Sequence, residues 1–243
     1  MGSSNPLHDA GRSGSNVRHS KEDALSEREF ELLLEGAREI NNHHYYDPDP
    51  EFIISVLGRL GLRRGELVHM KESWINWRDK TIEIPSHEPC DFGMEGEVCG
   101  YCKQMAQQRA DYAGNDLTYE DAIEWVWVPK TEAAARTIYF GFEPRLEIYI
   151  ERYFDNPNYD RVEVSGTAIG RRVKKAAKEA DEIDPTHISP HSLRATCATY
   201  HAGRGLKLLS LMQMMGWVKP ETAEIYIGRN SEKTKNQLNS IHK

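Results

Sequence analysis

The chain has 243 residues, 39% of them hydrophobic and 28% charged, so it is expected to be a soluble globular protein with one large core or two small ones. It carries no apolar run of about 18 residues and no secretory apolar region near its start, so a cytoplasmic protein that does not enter a membrane is expected. A net charge of −7 argues against a generally basic nucleic-acid binder, although basic residues gather at Arg59, Arg63 and Arg64, along 171–178, and at Arg194, Arg204 and Lys207.

Residues 1–20 are rich in Gly, Ser and Asn and are expected to form a disordered tail, with residues 21–243 as the folded domain. Ser26, followed by acidic residues in a first turn, starts a helix that carries Phe30, Leu32, Leu33, Leu34 and Ala37. That helix should stop near Asn41 and Asn42, before Asp47-Pro48-Asp49-Pro50. A second helix from Pro50 to Leu60 places Phe52, Ile53, Val56, Leu57 and Leu60 on one stripe and runs into Gly61-Leu62-Arg63-Arg64-Gly65-Glu66-Leu67. Alternation at Ile75 and Trp77, a turn at Arg78-Asp79-Lys80, and alternation at Ile82 and Ile84 predict a β-hairpin. A further strand pair is predicted between Trp125–Pro129 and Thr137–Phe140, joined by a turn that holds Lys130 and Arg136.

Between those strands His87, Cys90, Cys99 and Cys102 form H-x2-C and C-x2-C half-sites. A short polar loop cannot bury a core of its own, and tetrahedral Zn2+ held by three thiolates and one imidazole would staple it. The expectation is a zinc-binding insertion over 86–103, with free thiols or a redox pair as the alternative. All four zinc positions would be filled by protein, so the metal would be structural and catalysis would need no cofactor. Cys197 is expected to be a small core residue.

Helices are predicted over Pro144 to Tyr153 and Thr167 to Ala180. The second alternates Val173, Ala176 and Ala177 with Arg171, Arg172, Lys174 and Lys175, which could bury one side and meet phosphates with the other. A solvated lysine face fits the same pattern. Leu208, Leu209, Leu211, Met212 and Met215 read as core. His191 and Arg194 lie three apart, which on a helix places an imidazole and a guanidinium on one face, suited to gripping a phosphate. Tyr226 adds a hydroxyl, completing a kit for covalent attack on a phosphodiester.

His191-x-x-Arg194, then Gly216-Trp217, then Tyr226, at matching spacing, resemble the C-terminal signature of the tyrosine recombinases, the phage-integrase family. Gly61-Leu62-Arg63-x-x-Glu66-Leu67 resembles the segment that holds the family's first catalytic arginine. The resemblance implies a mixed α/β (α+β) fold, mostly helical with a small antiparallel sheet and here an inserted Cys/His loop. It implies that Tyr226 attacks the scissile phosphate to give a 3′-phosphotyrosyl link, that Arg63 and Arg194 stabilise the non-bridging oxygens, and that His191 accepts the phenol proton. Lys130 would protonate the 5′ leaving oxygen, and Trp217 would donate its indole N–H to phosphate. Arg64, Arg171, Arg172, Lys174 and Lys175 would add DNA contacts.

Ala195 and Cys197 depart from the polar or aromatic residues common after the family's second arginine. With about 25 residues before the first helix, the family's N-terminal core-binding domain is not expected. The partner implied is double-stranded DNA, met by a chain that is a monomer when free and a tetramer on paired sites, within the nucleoid of a prokaryote or on a viral or other mobile element. A type IB topoisomerase, a non-catalytic DNA-binding regulator and a zinc-stapled interaction module are the rival readings.

Overall fold

A computed structural model describes residues 20–41, 47–124, 126–129, 132–227 and 238. A 3-10 turn (Ser20–Asp23) leads into α1 (Glu27–Asn41). Its start is a reciprocal cap: the Ser26 amide and hydroxyl donate to Glu29 Oε2 at 2.8 and 2.6 Å, and the Glu29 amide donates back to Ser26 Oγ at 3.3 Å. Phe30, Leu33, Leu34, Ala37 and Ile40 recur at helical spacing and are all buried. Gly36 lets α1 press on a later helix, since a Cβ there would stand 2.3 Å from the Ala176 carbonyl oxygen.

α2 (Pro50–Ser55) begins with Asp49 accepting the Glu51 amide at 2.8 Å and with Pro50 in the first turn. A π-helical turn (Val56–Leu60) continues it, and every residue from Pro50 to Leu60 is buried, making this the axis of the larger core. That position takes Arg59, one of the basic residues gathered in the sequence, away from the surface. Its side chain is 3% exposed, donates to Glu27 at 3.1 Å, and lies 3.9 Å from the Phe30 ring centroid and 4.1 Å from that of Tyr200.

After α3 (Arg64–Val68) come β1 (Ile75–Asn76) and β2 (Thr81–Ile84), the predicted hairpin, with Ile75 opposite Ile82. β3 (Arg136–Tyr139) completes an antiparallel sheet in the order β1-β2-β3, with Ile82 opposite Ile138 and Ile84 opposite Arg136. The predicted partner of β3 is therefore corrected. Val126 and Trp127 pair instead with the cysteine-bearing segment, Glu88 N donating to Trp127 O at 2.7 Å and Cys90 N to Val126 O at 3.1 Å. The alternating apolar run had marked extended backbone, but its neighbour is the insertion rather than the sheet.

The excursion between β2 and β3 is also larger than residues 86–103, because α4 (Gly100–Ala113) and α5 (Tyr119–Glu124) both belong to it. α4 buries only Cys102 and Ala106, so its sequence lacks the apolar stripe that announces a packed helix.

The predicted helices follow as α6 (Pro144–Phe154) and α7 (Gly166–Glu179). α8 (Pro190–Gly203), α9 (Leu208–Met215) and α10 (Pro220–Ile227) close the chain's described part. α8 separates two cores. Leu193 belongs to the large one, while Ala195, Cys197, Ala198 and Ala202 join Leu211, Met215, Ala223 and Tyr226 in the small one. Leu209, expected in the core, is 75% exposed because α9 has one buried face, carried by Leu211 and Met215. Cys197 is fully enclosed, and burial pushes its thiol up to about 12, the behaviour of a packing residue. The fold is mostly helical with a small antiparallel sheet, and among the described residues no helix is long and apolar enough to cross a membrane.

Candidate active site

Arg63 is the extended residue at the N-cap of α3, and its backbone amide donates to Glu66 Oε2 at 2.8 Å. Its guanidinium donates to Glu66 Oε1 at 2.7 Å and to the Gly216 carbonyl at 2.9 Å. Arg136 grips the same carboxylate with both terminal nitrogens, at 2.9 and 3.0 Å, while its Nε donates to Met214 O at 2.7 Å. Arg194 donates to Gly61 O and to Met215 O.

The three successive carbonyls Met214, Met215 and Gly216 thus each receive one arginine. These are carbonyls that the end of α9 leaves without intrahelical partners, and the negative pole of the helix lies there. The chain turns away at Gly216 with φ of +61°, and a Cβ at that position would stand 2.9 Å from Ala134 Cα. Gly216→Ala is expected to lower stability by about 1–2 kcal/mol through the left-handed backbone, with about 1–3 kcal/mol more from overpacking. A urea unfolding midpoint close to that of the wild type would refute this.

Just past that turn, Trp217 places its ring 5.9 Å from Arg194 Cζ and stacks on Tyr226 with centroids 5.3 Å apart and planes at 18°. Arg63, Arg194, Trp217 and Tyr226, far apart in the chain, are thereby joined around the end of α9. Tyr226 is 7% exposed, and Arg63, at 22%, is the guanidinium of the cluster that solvent reaches most readily.

α8 is set by a reciprocal cap, Ser192 N donating to Ser189 Oγ at 3.2 Å and Ser189 N to Ser192 Oγ at 2.8 Å, with Pro190 in its first turn. On that first turn His191 is exposed, whereas Arg194 is buried. The pair expected on one face is divided between surface and interior. Lys130 lies outside the described residues.

Three guanidinium groups share one buried carboxylate. Burial alone would raise the pKa of Glu66, but the charges of Arg136, Arg194 and Arg63 hold it down at about 2. Burial, followed by the neighbouring charge of Arg63, works against the protonated form of Arg194. The cluster therefore carries surplus positive charge that an anion would relieve. Arg136 is the member that its own sequence neighbourhood gave least reason to choose.

The expected DNA-contacting residues fall into two groups. Arg171 and Lys175 are exposed on α7, and Arg64 is exposed at the start of α3. Arg172 instead donates to the Pro48 and Asp47 carbonyls at 2.9 and 3.0 Å, and Lys174 to Thr186 O at 3.1 Å. These three bonds tie α7 to adjoining loops, so the pattern that suggested a uniform phosphate face is only half exposed.

His87 is likewise exposed and does not join the cysteines; the histidine that meets Cys90, Cys99 and Cys102 is His69, at the end of α3. The H-x2-C spacing misled because His69 is adjacent in space and distant in sequence.

Among solved structures, the crystal structure of XerA recombinase matches with a TM-score of 0.55 and 19% identity, over 96% of this chain and 66% of that one. The Tn1549 transposon integrase in complex with transposon right end DNA matches with a TM-score of 0.57 and 16% identity, over 90% of this chain and 66% of that one. XerH site-specific recombinase bound to its difH substrate matches with a TM-score of 0.50 and 13% identity, over 89% of this chain and 53% of that one. At these identities the likeness shows the fold, and this chain spans at most about two thirds of the length of each. No curated protein matches in sequence. The sequence pattern of the phage integrase family matches residues 24–233, nearly the whole of the described fold and all four residues gathered at the end of α9, and the chain belongs to that family.

Proposed function

We propose that the protein is a site-specific tyrosine recombinase that breaks and rejoins double-stranded DNA through a 3′-phosphotyrosyl intermediate. The observation that carries this reading is the surplus of positive charge at Arg63, Arg136 and Arg194 beside the Trp217–Tyr226 stack. A phosphodiester is the anion whose charge and geometry suit bidentate arginine. It also has a bond that a tyrosine hydroxyl can exchange without an external energy source.

In this mechanism the Tyr226 oxygen forms a bond to phosphorus as the bond to the 5′ oxygen breaks. His191 takes the phenol proton, and Lys130 supplies the proton that the 5′ oxygen needs to leave as a hydroxyl. Arg63 and Arg194 bear the charge on the non-bridging oxygens, and Trp217 donates its indole N–H there. Arg136 does not touch DNA in this scheme; through Glu66 and Met214 O it positions Arg63 and the end of α9. Rejoining is the reverse reaction, with the 5′-hydroxyl as nucleophile.

The protein would act in the cytoplasm on chromosomal or mobile-element DNA. It would be a monomer when free and would form a tetramer on two paired sites, which a head-to-tail exchange between neighbours closes into a ring. The segment beyond Tyr226 proposed for that exchange, Arg229 to Leu238, lies outside the described residues except for Leu238.

A nicked suicide substrate, from which the cleaved 5′ end diffuses away, should trap a covalent protein–DNA adduct on a denaturing gel, in the absence of ATP and divalent metal. No adduct on any substrate drawn from the mobile element or genome encoding the protein would refute the proposal. Relaxation of plasmids without recombinant products would identify a topoisomerase instead.

A further inference from the structure

We propose that His69, Cys90, Cys99 and Cys102 bind one Zn2+ in a closed tetrahedral site, and that this site fastens the β2–β3 excursion to the end of α3, the helix that begins at Arg63. All four ligand atoms lie within 4.8 Å of one another. His69 Nε2 is 3.5 Å from the sulfurs of Cys90 and Cys99 and 3.3 Å from that of Cys102. Zinc bonds of about 2.3 Å to sulfur and about 2.0–2.1 Å to nitrogen, set at tetrahedral angles, require an N···S separation of roughly 3.5 Å. The three N···S separations already match that geometry.

The surroundings are those of a metal ligand set. His69 Nδ1 lies 2.8 Å from the Gly65 carbonyl, a bond that keeps the proton on Nδ1 and turns the Nε2 lone pair toward the sulfurs. Cys99 is the N-cap of α4 and accepts the Cys102 amide at 3.4 Å, so a thiolate there meets an N–H donor and the positive end of a helix. All three cysteines are free. The rings of Phe92, Tyr101 and Trp127 surround His69 at 5.1, 5.9 and 5.4 Å between centroids. A site with four protein ligands and an apolar shell is structural.

The excursion needs such a staple, because α4 buries little besides Cys102 and Ala106. α3 is only five residues long, and His69 follows it directly. The Tyr101 hydroxyl presses on the same helix, since a Cβ at Gly65 would stand 2.8 Å from it. One end of α3 is thus held by Glu66 in the arginine cluster and the other by the proposed metal.

The full-length chain, reconstituted with Zn2+ and dialysed, should retain about one equivalent by elemental analysis. His69→Ala should lower this to under about a tenth of an equivalent, while His87→Ala retains it. Wild-type protein loaded with Co2+ should show a thiolate charge-transfer band and the intense visible absorption of tetrahedral cobalt, both abolished by Zn2+; this readout does not depend on whether a variant folds. Removing the metal should speed exchange of the Leu67 and His69 amides, which bond to Arg63 O and Gly65 O, by about tenfold or more. Absence of retained zinc, an octahedral cobalt spectrum, or loss of metal in His87→Ala but not in His69→Ala would overturn the site. Unchanged exchange in α3 would overturn the fastening. None of these measurements uses DNA, so their failure would leave the recombination reading standing.

Discussion

Tyr226→Phe protein incubated with a suicide substrate is expected to show no covalent band, a loss of at least about a thousandfold against wild type, while its affinity for the same DNA changes by less than about threefold. The substitution removes only the phenol oxygen. The ring that stacks on Trp217 and fills the small core with Met215 and Ala223 is kept, so α10 should hold its place. Arg63 and Arg194, which would carry the electrostatic part of phosphate binding, are untouched. A surviving adduct would remove Tyr226 as nucleophile and turn attention to Tyr200. That tyrosine sits between Arg59 and Arg204, at 4.1 and 3.8 Å, burial raises its pKa, and Arg59 is already engaged by Glu27 and Glu143.

Glu66→Gln is expected to destabilise the fold by about 3–5 kcal/mol, the usual penalty for breaking a buried ion pair from one side. Gln keeps the shape and one acceptor, but it leaves the buried Arg136 and Arg194 and the half-buried Arg63 without their shared counter-charge. The same group sets a pH dependence. Its folded pKa of about 2 lies below the ordinary carboxylate value near 4.5, so the folded state favours the ionised form. The stability this contributes is present above about pH 4.5 and is lost as pH falls through the folded value. A depression of that size is worth about 3 kcal/mol. Urea midpoints measured from pH 6 down to pH 2.5 should fall more steeply in wild type than in Glu66→Gln. Parallel curves for the two proteins would show that Glu66 does not carry this linkage.

Local sequence determined much of this protein. The Ser26–Glu29 cap, the Asp49-Pro50 helix start, the 75–84 hairpin and the Ser189-Pro190 start of α8 are each decided by hydrogen bonds and backbone preferences within a few residues, so they can be read without knowing the rest of the chain. The signature from His191 to Tyr226 was legible for a related reason: its spacing is the length of the helices and turns that carry it.

Tertiary structure decided what depends on partners distant in sequence. Arg136 acquires its role from Glu66, seventy positions earlier, and Arg59 is buried because α1, α6 and α8 close around the turn that holds it. The sheet partner of β3 and the exposure of Leu209 depend on which faces other elements cover. The histidine among the cysteines shows the same limit. His87 has the right spacing, but the Glu88–Cys90 backbone is occupied in pairing with Val126 and Trp127, and the end of α3 brings His69 to the sulfurs instead. Spacing restricts which ligands can meet within one turn or loop, whereas the fourth corner of a tetrahedron is supplied by whichever element packs across it, and that is settled only when the core forms.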